Sequence, residues 1–381
     1  MIEIKSNKLF ISYKNKKLSF TEFFNEVNKL EEKFDNFKKY DDFILINEEN
    51  PIYFYPLLFS LWKNNKKVIF PNRDFFSGKN LDFAKYIIKY DEIYQNSDFK
   101  SNLEKISEGD TIVFSSGSTG EPKGILNKKD SFFKNAQSVL IELKVSKIVS
   151  VTPLKPYLVS AISHFLVHLL SKSHLIFLET QNLKEDVEKN SSIYNELSYV
   201  GSPMQIVSML PFIRNKNPKL FFSSGDLFYP QIISSIFDKF PDSKIFNAYG
   251  LAELSGRLFI NKISENNFSK IGKNINRTEV KIIDSEVVVS SDLLFSGYIK
   301  GSEFIKRTSE SFKTGDIVIE VDKELEFYGR LNDEIKVGGN KISLKYIEKK
   351  VSNVLTKDFT PILINKEHNL LGNIVILILY Y

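Results

Sequence analysis

Residues 111–124 combine the hydroxyl groups, glycines and cation that a phosphate-binding loop needs. They read TIVFSSGSTGEPKG, a short apolar strand that runs into a loop of small residues and closes on Lys123. Glycines let backbone amides approach a polyanion closely, and lysine supplies a point charge. The loop is not a Walker A loop, because no Gly-Lys-Ser/Thr follows four residues after a glycine. We predict a site for a phosphate chain and not a flexible Gly/Ser linker, since a linker lacks an adjoining buried strand.

The ten residues from Ser115 to Gly124 resemble the signature loop of the adenylate-forming superfamily, which includes acyl-CoA synthetases, peptide-synthetase adenylation domains and luciferases. Three further segments resemble motifs of this family in the same order along the chain: NAYGLAE at 247–253, FKTGD at 312–316 and YGRLNDEIKVGGNKISLKYIE at 328–348. SFTEFFNEVNKL at 19–30 is similar to the family's first helix. The resemblance therefore covers nearly the whole chain.

The resemblance implies ATP and Mg²⁺ as cofactors and gives roles to particular residues. Lys123, Thr119 and Glu253 would be catalytic, and Glu253 with Thr119 would hold Mg²⁺. Tyr249 would cover the adenine. The wider nucleotide and pantetheine site would comprise Ser115, Ser116, Gly117, Ser118, Thr119, Gly120, Lys123, Gly225, Asp226, Asn247, Tyr249, Gly250, Asp316, Arg330, Gly338 and Gly339.

Within this set, Gly225 and Asp226 would line the second face of the adenine. Asp316 would accept hydrogen bonds from the ribose hydroxyls close to Arg330, and the Gly338–Gly339 pair would let a pantetheine arm pass. Without the resemblance, Asp316 would be read as a turn cap, Arg330 as a surface charge and Glu253 as a solvated helix residue.

Short β-rich runs alternate with helical stretches over much of the sequence, which favours an α/β fold. In SFTEFFNEVNKLEEKF the apolar residues have helical spacing, and Ser19 with Glu22 makes a capping box. Strands are expected at IVF, IVSVTP, HLIFLE, YVGSP, LFFSSG and KIFNAYG, beginning at 112, 148, 174, 199, 220 and 244. Their loops should lie along the carboxyl edge of a parallel sheet, where ligands bind.

We expect residues 1–330 to form an AMP-binding N-terminal domain of stacked, mostly parallel sheets with helices. KIIDSEVVVS, FSGYI and the run from Leu325 to Gly329 predict a small antiparallel β subdomain at about 278–330. Residues 331–381 should form a truncated α+β lid at the C-terminus. The apolar runs YLVSAISHFLVHLL and IVILILYY are too short to span a bilayer, so we expect a buried helix and a buried strand.

The 381 residues are 42% hydrophobic and carry a net charge of +5, which suits a large core in two or three domains. The lysines are scattered and paired with acids, so we expect no nucleic-acid partner. No cationic leader followed by an apolar stretch opens the sequence, and we expect a cytoplasmic protein without a membrane span.

The sequence has no cysteine, which excludes disulfides and thiolate nucleophiles within these residues. A thioester product would then need the thiol of coenzyme A or of a carrier-protein phosphopantetheine. His164 and His168 lie four residues apart and could face one metal ion. No Glu follows His164, however, and the setting is apolar, so packed histidines on a core helix are the favoured interpretation.

The predicted function is an AMP-forming acid–thiol ligase, similar to acyl-CoA or acyl-carrier-protein synthetases, that activates a small carboxylic acid. VGSPMQIVSMLPF at 200–212 is expected to line an apolar pocket, which favours a fatty or aromatic acid. An amino acid would need a carboxylate for its ammonium group, and none is placed beyond Asp226. Tyr157 is the only aromatic residue in the segment from Pro153 to Ser160, near the expected acyl pocket.

Several positions depart from the family pattern. Ala252 replaces a threonine that contacts the α-phosphate, and Asn332 replaces the first hinge aspartate, with Asp333 in the second place. The last residues resemble the lid's paired strands, and the family's final helices and Gly-Lys motif do not follow. Either another lysine replaces the lysine of the Gly-Lys motif, or a partner protein supplies it, or adenylation is slow. The candidate lysines in the lid are Lys336, Lys341 and Lys366.

Two alternatives therefore stay open. One is an adenylating enzyme whose acceptor is not a thiol. The other is a nucleotide- or acyl-adenylate-binding protein that has lost turnover, which Ala252 and the shortened lid favour. Lys123, Glu253 and Asp316 favour an active enzyme.

Overall fold

A computed structural model gives the structure of the protein. It describes residues 6–71, 84–97, 99, 106–115, 123–144, 147–226, 228, 230–264, 267, 270–275, 278–300, 303–331, 334–337, 340–352, 354–355, 359–368 and 372–380.

The strands of the described residues are, in chain order, β1 (Leu9–Tyr13), β2 (Lys16–Ser19), β3 (Ile44–Ile46), β4 (Val68–Ile69), β5 (Tyr86–Lys89), β6 (Glu92–Gln95), β7 (Thr111–Ser115), β8 (Lys123–Asn127), β9 (Val149–Thr152), β10 (His174–Phe177), β11 (Leu197–Gly201), β12 (Leu220–Ser224), β13 (Lys244–Leu251), β14 (Gly256–Lys262), β15 (Lys273–Asn274), β16 (Glu279–Ile283), β17 (Glu286–Ser290), β18 (Gly297–Lys300), β19 (Glu303–Lys306), β20 (Ser311–Val321), β21 (Glu324–Arg330), β22 (Glu334–Val337), β23 (Asn340–Ser343), β24 (Thr360–His368) and β25 (Gly372–Tyr380).

The α-helices of the same residues are α1 (Phe20–Lys33), α2 (Pro51–Lys63), α3 (Lys129–Leu143), α4 (Val159–Leu170), α5 (Leu183–Ile193), α6 (Pro203–Met209), α7 (Pro230–Lys239) and α8 (Leu344–Ser352). The predicted capping box at the start of α1 is confirmed, since the Ser19 side chain accepts from the Glu22 amide and the Glu22 carboxylate accepts from the Ser19 amide. The six expected strands and the helix of the run YLVSAISHFLVHLL are also confirmed. In the described part of the chain, no helix is long and apolar enough to cross a membrane.

Two large sheets form most of the fold. The first has the order β15-β14-β13-β12-β11-β9-β10-β1-β2, and its strands from β13 to β1 are parallel. The second has the order β19-β18-β8-β7-β4-β3-β5-β6, with parallel β7, β4, β3 and β5 between antiparallel edges. The expected α/β class with mostly parallel sheets and helices is therefore correct.

Successive strand residues point to opposite faces, and the core follows this alternation. On β12, Phe222 packs in the large central core with α1 to α4, whereas Phe221 packs on the other face with α6 and α7. On β7, Val113 belongs to the central core and Ile112 to a third cluster. The central core contains a dense aromatic group, in which the rings of Tyr55 and Phe165 stack at 3.8 Å between centroids.

The segment 200–212 forms the end of β11, helix α6 and a following turn. Ile206 and Met209 are fully buried in the core beneath α6 and α7. These two side chains therefore help to join α6 to the sheet. The expected apolar pocket along this segment stays a prediction.

A four-stranded antiparallel sheet of order β16-β17-β20-β21 contains the runs KIIDSEVVVS and Leu325 to Gly329, as predicted. The prediction for FSGYI was wrong. Its strand β18 pairs with β8, so it belongs to the eight-stranded sheet. The reason is that β18 and β8 are far apart in the sequence, and the local composition of a strand does not reveal which distant strand it pairs with. The domain boundaries themselves stay a prediction.

The C-terminal residues form two hairpins, β22–β23 and β24–β25, with α8 between them. The run IVILILYY is a strand, as expected, but the prediction of burial was wrong. Residues Leu377, Ile378 and Leu379 are 44–45% exposed and Tyr380 is 68% exposed. Among the described strands, β24 and β25 pair only with each other, so the hairpin is not part of a larger sheet with a core beneath it.

Candidate active site

Lys123 begins β8, directly across from the last residue of β7. The two strands are antiparallel, and Ser115 pairs with Lys123. The segment 116–122 between them holds Ser116, Gly117, Ser118, Thr119 and Gly120, and it lies outside the described residues. The predicted strand before the loop is confirmed, and Lys123 is exposed at the point where the chain returns to the sheet.

Tyr298 lies between the two charged residues expected to act on the phosphates. Its hydroxyl donates to Glu253 Oε1 at 3.0 Å, and Lys123 Nζ lies 5.9 Å from the centre of its ring. The register explains this position: Tyr298 pairs with Ile125, two residues from Lys123 on the same face of β8. One aromatic side chain therefore contacts both the predicted phosphate cation and the predicted metal ligand.

The backbone turn that carries Glu253 is held by β8 as well. Asn127 is fully buried; its Nδ2 donates to the Ala252 carbonyl at 3.2 Å, and its Oδ1 accepts from the Ser255 hydroxyl at 3.1 Å. The Phe295 amide donates to the Glu253 carbonyl at 2.7 Å. Side chains alternate between the two faces of a strand, so Lys123 and Asn127 lie on the same face of β8. Since Asn127 holds the turn that carries Glu253, this strand sets the position of Glu253 relative to Lys123.

Asp316 is the centre of a second cluster. Its carboxylate is 1% exposed; Oδ2 accepts from the Tyr249 hydroxyl at 2.5 Å, and Oδ1 pairs with Arg330 Nε at 2.9 Å. The contacts join β13, β20 and β21, and Asp316 pairs directly with Arg330 across the last two strands. Three residues predicted for the nucleotide from separate motifs therefore lie in one hydrogen-bonded group.

The turn before Asp316 is fixed by its own side chains. Gly315 has φ of +72°, a left-handed conformation that favours glycine, and its amide donates to Glu286 Oε1 at 2.8 Å. The Thr314 hydroxyl donates to the Val287 carbonyl and accepts from the Asp316 amide. The sequence Thr-Gly-Asp thus fixes the backbone that places the Asp316 carboxylate beside Tyr249 and Arg330.

The two clusters act on each other electrostatically. Burial raises the pKa of the Glu253 carboxyl above its ordinary value, while the Tyr298 hydroxyl and the Arg330 charge lower it and the Asp316 charge raises it. Burial, followed by the Asp316 charge, raises the pKa of Tyr249, which keeps its hydroxyl a donor at neutral pH. Glu253 is therefore a half-buried carboxyl whose charge depends on its neighbours.

The other described candidates lie on adjacent strand ends. Gly225 follows β12 with φ of +95° and open space where a Cβ would stand, and Asp226 beside it is exposed. Asn247 lies on β13, paired with Ser223, and its buried Oδ1 has no hydrogen-bond partner among the described residues. At Gly250 a Cβ would stand 2.2 Å from the Gly256 carbonyl oxygen, so glycine is required.

Gly338 and Gly339 lie outside the described residues, as do the hinge residues Asn332 and Asp333. Of the lid lysines, Lys366 is exposed on β24, and the side chains of Lys336 and Lys341 are outside the described part. Sequence reasoning missed Tyr298 and Asn127. Both depend on contacts of β8 with distant parts of the chain, and the hydroxyl of Tyr298 beside the apolar Ile299 was the local signal.

The two histidines on α4, His164 and His168, are buried in the core. His168 uses both ring nitrogens, Nδ1 on the His164 carbonyl at 2.7 Å and Nε2 on the Ser150 hydroxyl at 2.9 Å. No group of three or more His, Asp or Glu side chains suited to a metal ion occurs among the residues with described positions. For His168 the interpretation as a packed core histidine is confirmed.

The sequence profile of the AMP-binding enzyme family matches residues 78–299, more than half of the chain. The chain belongs to this family. Its matched segment contains the 116–122 loop, Tyr249, Glu253 and Tyr298, whereas Asp316 and Arg330 follow it. The resemblance seen in the sequence motifs is thereby confirmed.

Individual proteins support the same relationship. D-alanine–D-alanyl carrier protein ligase of Lactococcus lactis is 27% identical over 270 residues, which are 65% of this chain and 54% of that protein. Bacitracin synthase 1 of Bacillus licheniformis is 24% identical over 304 residues, 70% of this chain and 6% of the synthase. This AMP-binding chain thus spans about half the length of the ligases it matches.

The fold is that of larger adenylate-forming enzymes. o-Succinylbenzoate coenzyme A synthetase of Bacillus subtilis, solved in complex with ATP and magnesium ion, superimposes with a TM-score of 0.78 at 15% identity, covering 98% of this chain and 86% of the other. A mutant form of coronafacic acid ligase from Pectobacterium brasiliense gives a TM-score of 0.70 at 15% identity, with 98% and 85% covered.

Proposed function

We propose that this protein activates a carboxylic acid with ATP and transfers the acyl group to the thiol of coenzyme A or of a carrier-protein pantetheine. The observation that carries the proposal is the joining of Tyr249, Asp316 and Arg330 in one group, in a chain of the AMP-binding family. Glu253 interacts electrostatically with this group and shares its neighbour Tyr298 with Lys123. The carrier-protein ligases and the coenzyme A synthetase among its relatives support both possible acceptors.

The proposed first step joins a carboxylate oxygen of the acid to the α-phosphorus of ATP as the bond to pyrophosphate breaks. A carboxylate is already an anion at neutral pH, so no general base is needed. The barrier is the approach of two anions, which positioning and charge neutralisation lower. Lys123 would neutralise phosphate oxygens, Asp316 would accept from the ribose hydroxyls, and Tyr249 would pack against the adenine.

The residues also fit a magnesium ion. Mg²⁺ is usually held by one or two carboxylates together with substrate phosphates, and Glu253 offers one carboxylate oriented by Tyr298. Thr119, in the undescribed loop, is the second proposed ligand. The ion would supply positive charge to the phosphate oxygens.

In the proposed second step, the sulfur of the pantetheine thiol bonds to the acyl carbon as AMP leaves. The chain has no cysteine to form a thioester itself. The Gly338–Gly339 pair, which lacks side chains, is our candidate for the passage of the pantetheine arm. Because ATP and both carriers occur in the cytoplasm, we propose that compartment as the place of action.

ATP–pyrophosphate exchange over a panel of fatty, aromatic and amino acids tests the first step, and thioester formation with coenzyme A or holo-carrier protein tests the second. Exchange without any thioester would indicate a non-thiol acceptor. Binding of ATP or of an acyl-adenylate without exchange would indicate lost turnover. The missing hydroxyl at Ala252, whose carbonyl is held by Asn127, favours this last alternative.

A further inference from the structure

Lys270 is a buried lysine that lies between the nine-stranded sheet and the four-stranded antiparallel sheet. Its Nζ donates to the Val321 carbonyl at 2.7 Å and pairs with Glu326 Oε1 at 3.4 Å, where both charged side chains are 7% exposed. Glu324 Oε2 lies farther away, at 3.9 Å, on an exposed side chain. Val321 is the last residue of β20, and Glu324 and Glu326 belong to β21. These contacts of the Lys270 side chain therefore all reach the four-stranded sheet.

The main chain around Lys270 is held by the nine-stranded sheet. Asn261 on β14 is buried, and its Nδ2 donates to the Lys270 carbonyl at 3.0 Å. Gly272, two residues later, has φ of +87°, and a Cβ there would stand 2.3 Å from the Ile260 carbonyl oxygen of β14. The chain then continues as β15, which pairs with β14. Contacts on both sides of Lys270 therefore fix this segment to the edge of the nine-stranded sheet.

The same segment runs beside β21. Lys270 forms a single β-bridge with Glu326, and the Ile271 amide donates to the Leu325 carbonyl at 2.9 Å. Ile271 is buried in the central core. The main chain thus brings the segment against β21, and the Lys270 side chain adds contacts to both strands of the β20–β21 hairpin.

The proposed nucleotide group depends on how these two sheets meet. Tyr249 belongs to β13 of the nine-stranded sheet, whereas Asp316 lies on β20 and Arg330 on β21. The Phe327 ring, next to Glu326 on β21, lies 6.4 Å from the Tyr249 ring between centroids. A shift of the β20–β21 hairpin against β13 would therefore move the Asp316 carboxylate away from the Tyr249 hydroxyl.

We propose that Lys270 is a positioning residue for nucleotide binding. Its ion pair with Glu326 and its hydrogen bond to Val321 hold the β20–β21 hairpin, and with it Asp316, in place against Tyr249. The inference rests on the proposed function. Apolar contacts are non-directional, whereas a hydrogen bond requires a particular distance and angle. Lys270 can therefore fix the spacing of the two sheets more narrowly than the apolar side chains around it.

The test measures AMP binding by calorimetry in a double variant, Lys270→Met with Glu326→Leu. Both changes introduce an apolar side chain of similar volume, and such a replacement of a whole buried ion pair often leaves a protein as stable as before. We expect the double variant to fold and to bind AMP about tenfold more weakly, because its nucleoside contacts are displaced. Lys270→Arg, which keeps the charge, should bind AMP nearly as well as the natural protein does. Lys273→Met, which changes an exposed lysine of β15, is the matched control.

ATP–pyrophosphate exchange separates positioning from a general loss of structure. In the double variant the KM for ATP should rise by about tenfold, whereas the KM for pyrophosphate should stay unchanged. The reason is that Lys123 and Tyr298 lie on β8 and β18, which belong to the eight-stranded sheet. Urea unfolding of each variant shows whether the change in affinity occurs in a stably folded protein.

A folded double variant that binds AMP with the natural affinity would overturn the inference and leave the proposed function intact. A double variant that does not fold, or one in which both KM values rise equally, would also overturn it, because the ion pair would then serve the fold as a whole. Weaker AMP binding by the folded double variant, in a protein that shows no exchange with any acid, would support the inference while contradicting the proposed function. A natural protein that binds neither ATP nor AMP would contradict both.

Discussion

The Tyr298 hydroxyl donates to Glu253 Oε1 at 3.0 Å while the Tyr298 ring faces Lys123. This contact couples a residue of β18 to a residue of the turn after β13, 45 positions apart in sequence. It gives Glu253 a defined orientation and a donor that stabilises its charged form. The predicted phosphate cation and the predicted metal ligand therefore share a neighbour that can be changed without touching either of them.

Tyr298→Phe should lower kcat/KM for ATP by about tenfold, because a hydrogen bond to a charged carboxylate is lost. Burial already raises the pKa of Glu253, and the Tyr298 hydroxyl opposes this. Removal of the hydroxyl should raise the pKa of Glu253 further. The acid limb of the pH–activity profile should therefore move to higher pH. The magnesium concentration for half-maximal rate should also rise.

A pH profile and a magnesium titration of the exchange reaction measure both effects. Tyr90→Phe, in an exposed turn after β5, is the matched control and should leave both curves unchanged. If Tyr298→Phe lowers the rate equally at every pH and magnesium concentration, the tyrosine has only a packing role.

Asp316→Asn should raise the KM for ATP by about tenfold or more, with a smaller effect on kcat at saturation. The substitution removes the charge that accepts from Tyr249 and pairs with Arg330, and it weakens the acceptor proposed for the ribose hydroxyls. Asp322→Asn, in the exposed turn between β20 and β21, is the control. If Asp316→Asn binds ATP with normal affinity in calorimetry, Asp316 has only a structural role in the pairing of β20 with β21.

Gly250→Ala should destabilise the protein by about 2 kcal/mol or more and reduce nucleotide binding, since its Cβ would stand 2.2 Å from the Gly256 carbonyl oxygen. A backbone atom cannot move aside as a flexible side chain can. Gly201→Ala is the comparison, because there the nearest atoms, Gln205 Cβ at 3.0 Å and Oε1 at 3.1 Å, are side-chain atoms and lie farther away. Denaturant unfolding of the two variants gives the difference directly, and equal stabilities would contradict the close approach.

His168 should make the protein less stable in mild acid. Burial lowers its pKa from 6.5 to about 4, so between these values the unfolded chain binds a proton that the folded protein does not. Stability is fully present above about pH 6.5 and falls as the pH drops toward about 4, by an amount on the order of 3 kcal/mol for a shift of this size. Urea unfolding at pH 7 and pH 5 measures the slope, and His168→Gln should reduce it.

Much of the fold could be predicted from the sequence because its signals are local. The capping box at Ser19, the strand before the 116–122 loop and the strand ends at Gly225 and Tyr249 each depend on a few adjacent residues. The position of β18 was missed because it depends on pairing with β8, more than 150 residues earlier in the chain. For the same reason the sequence suggested Lys123 and Glu253 but not Tyr298 between them.

Burial was harder to predict than secondary structure. Leu377 to Tyr380 are as apolar as a core strand and do form a strand, yet their exposure depends on what surrounds the hairpin. Arg257 on β14 shows the opposite case, since it lies in the interior although arginine is mostly exposed in proteins. Periodicity predicts which face a residue takes, but not whether another layer covers that face.

Lys123→Ala should reduce ATP–pyrophosphate exchange by about a hundredfold while changing AMP affinity little. Lys123 lies at the end of the phosphate loop and beside Tyr298, whereas the residues proposed for the nucleoside are Tyr249, Asp316 and Arg330. Loss of a cation that neutralises developing charge commonly costs a factor of roughly a hundred or more. Lys128→Ala, an exposed lysine just after β8, is the control. Equal losses of ATP and AMP affinity in calorimetry would place Lys123 at the nucleoside or α-phosphate, not at the pyrophosphate that leaves.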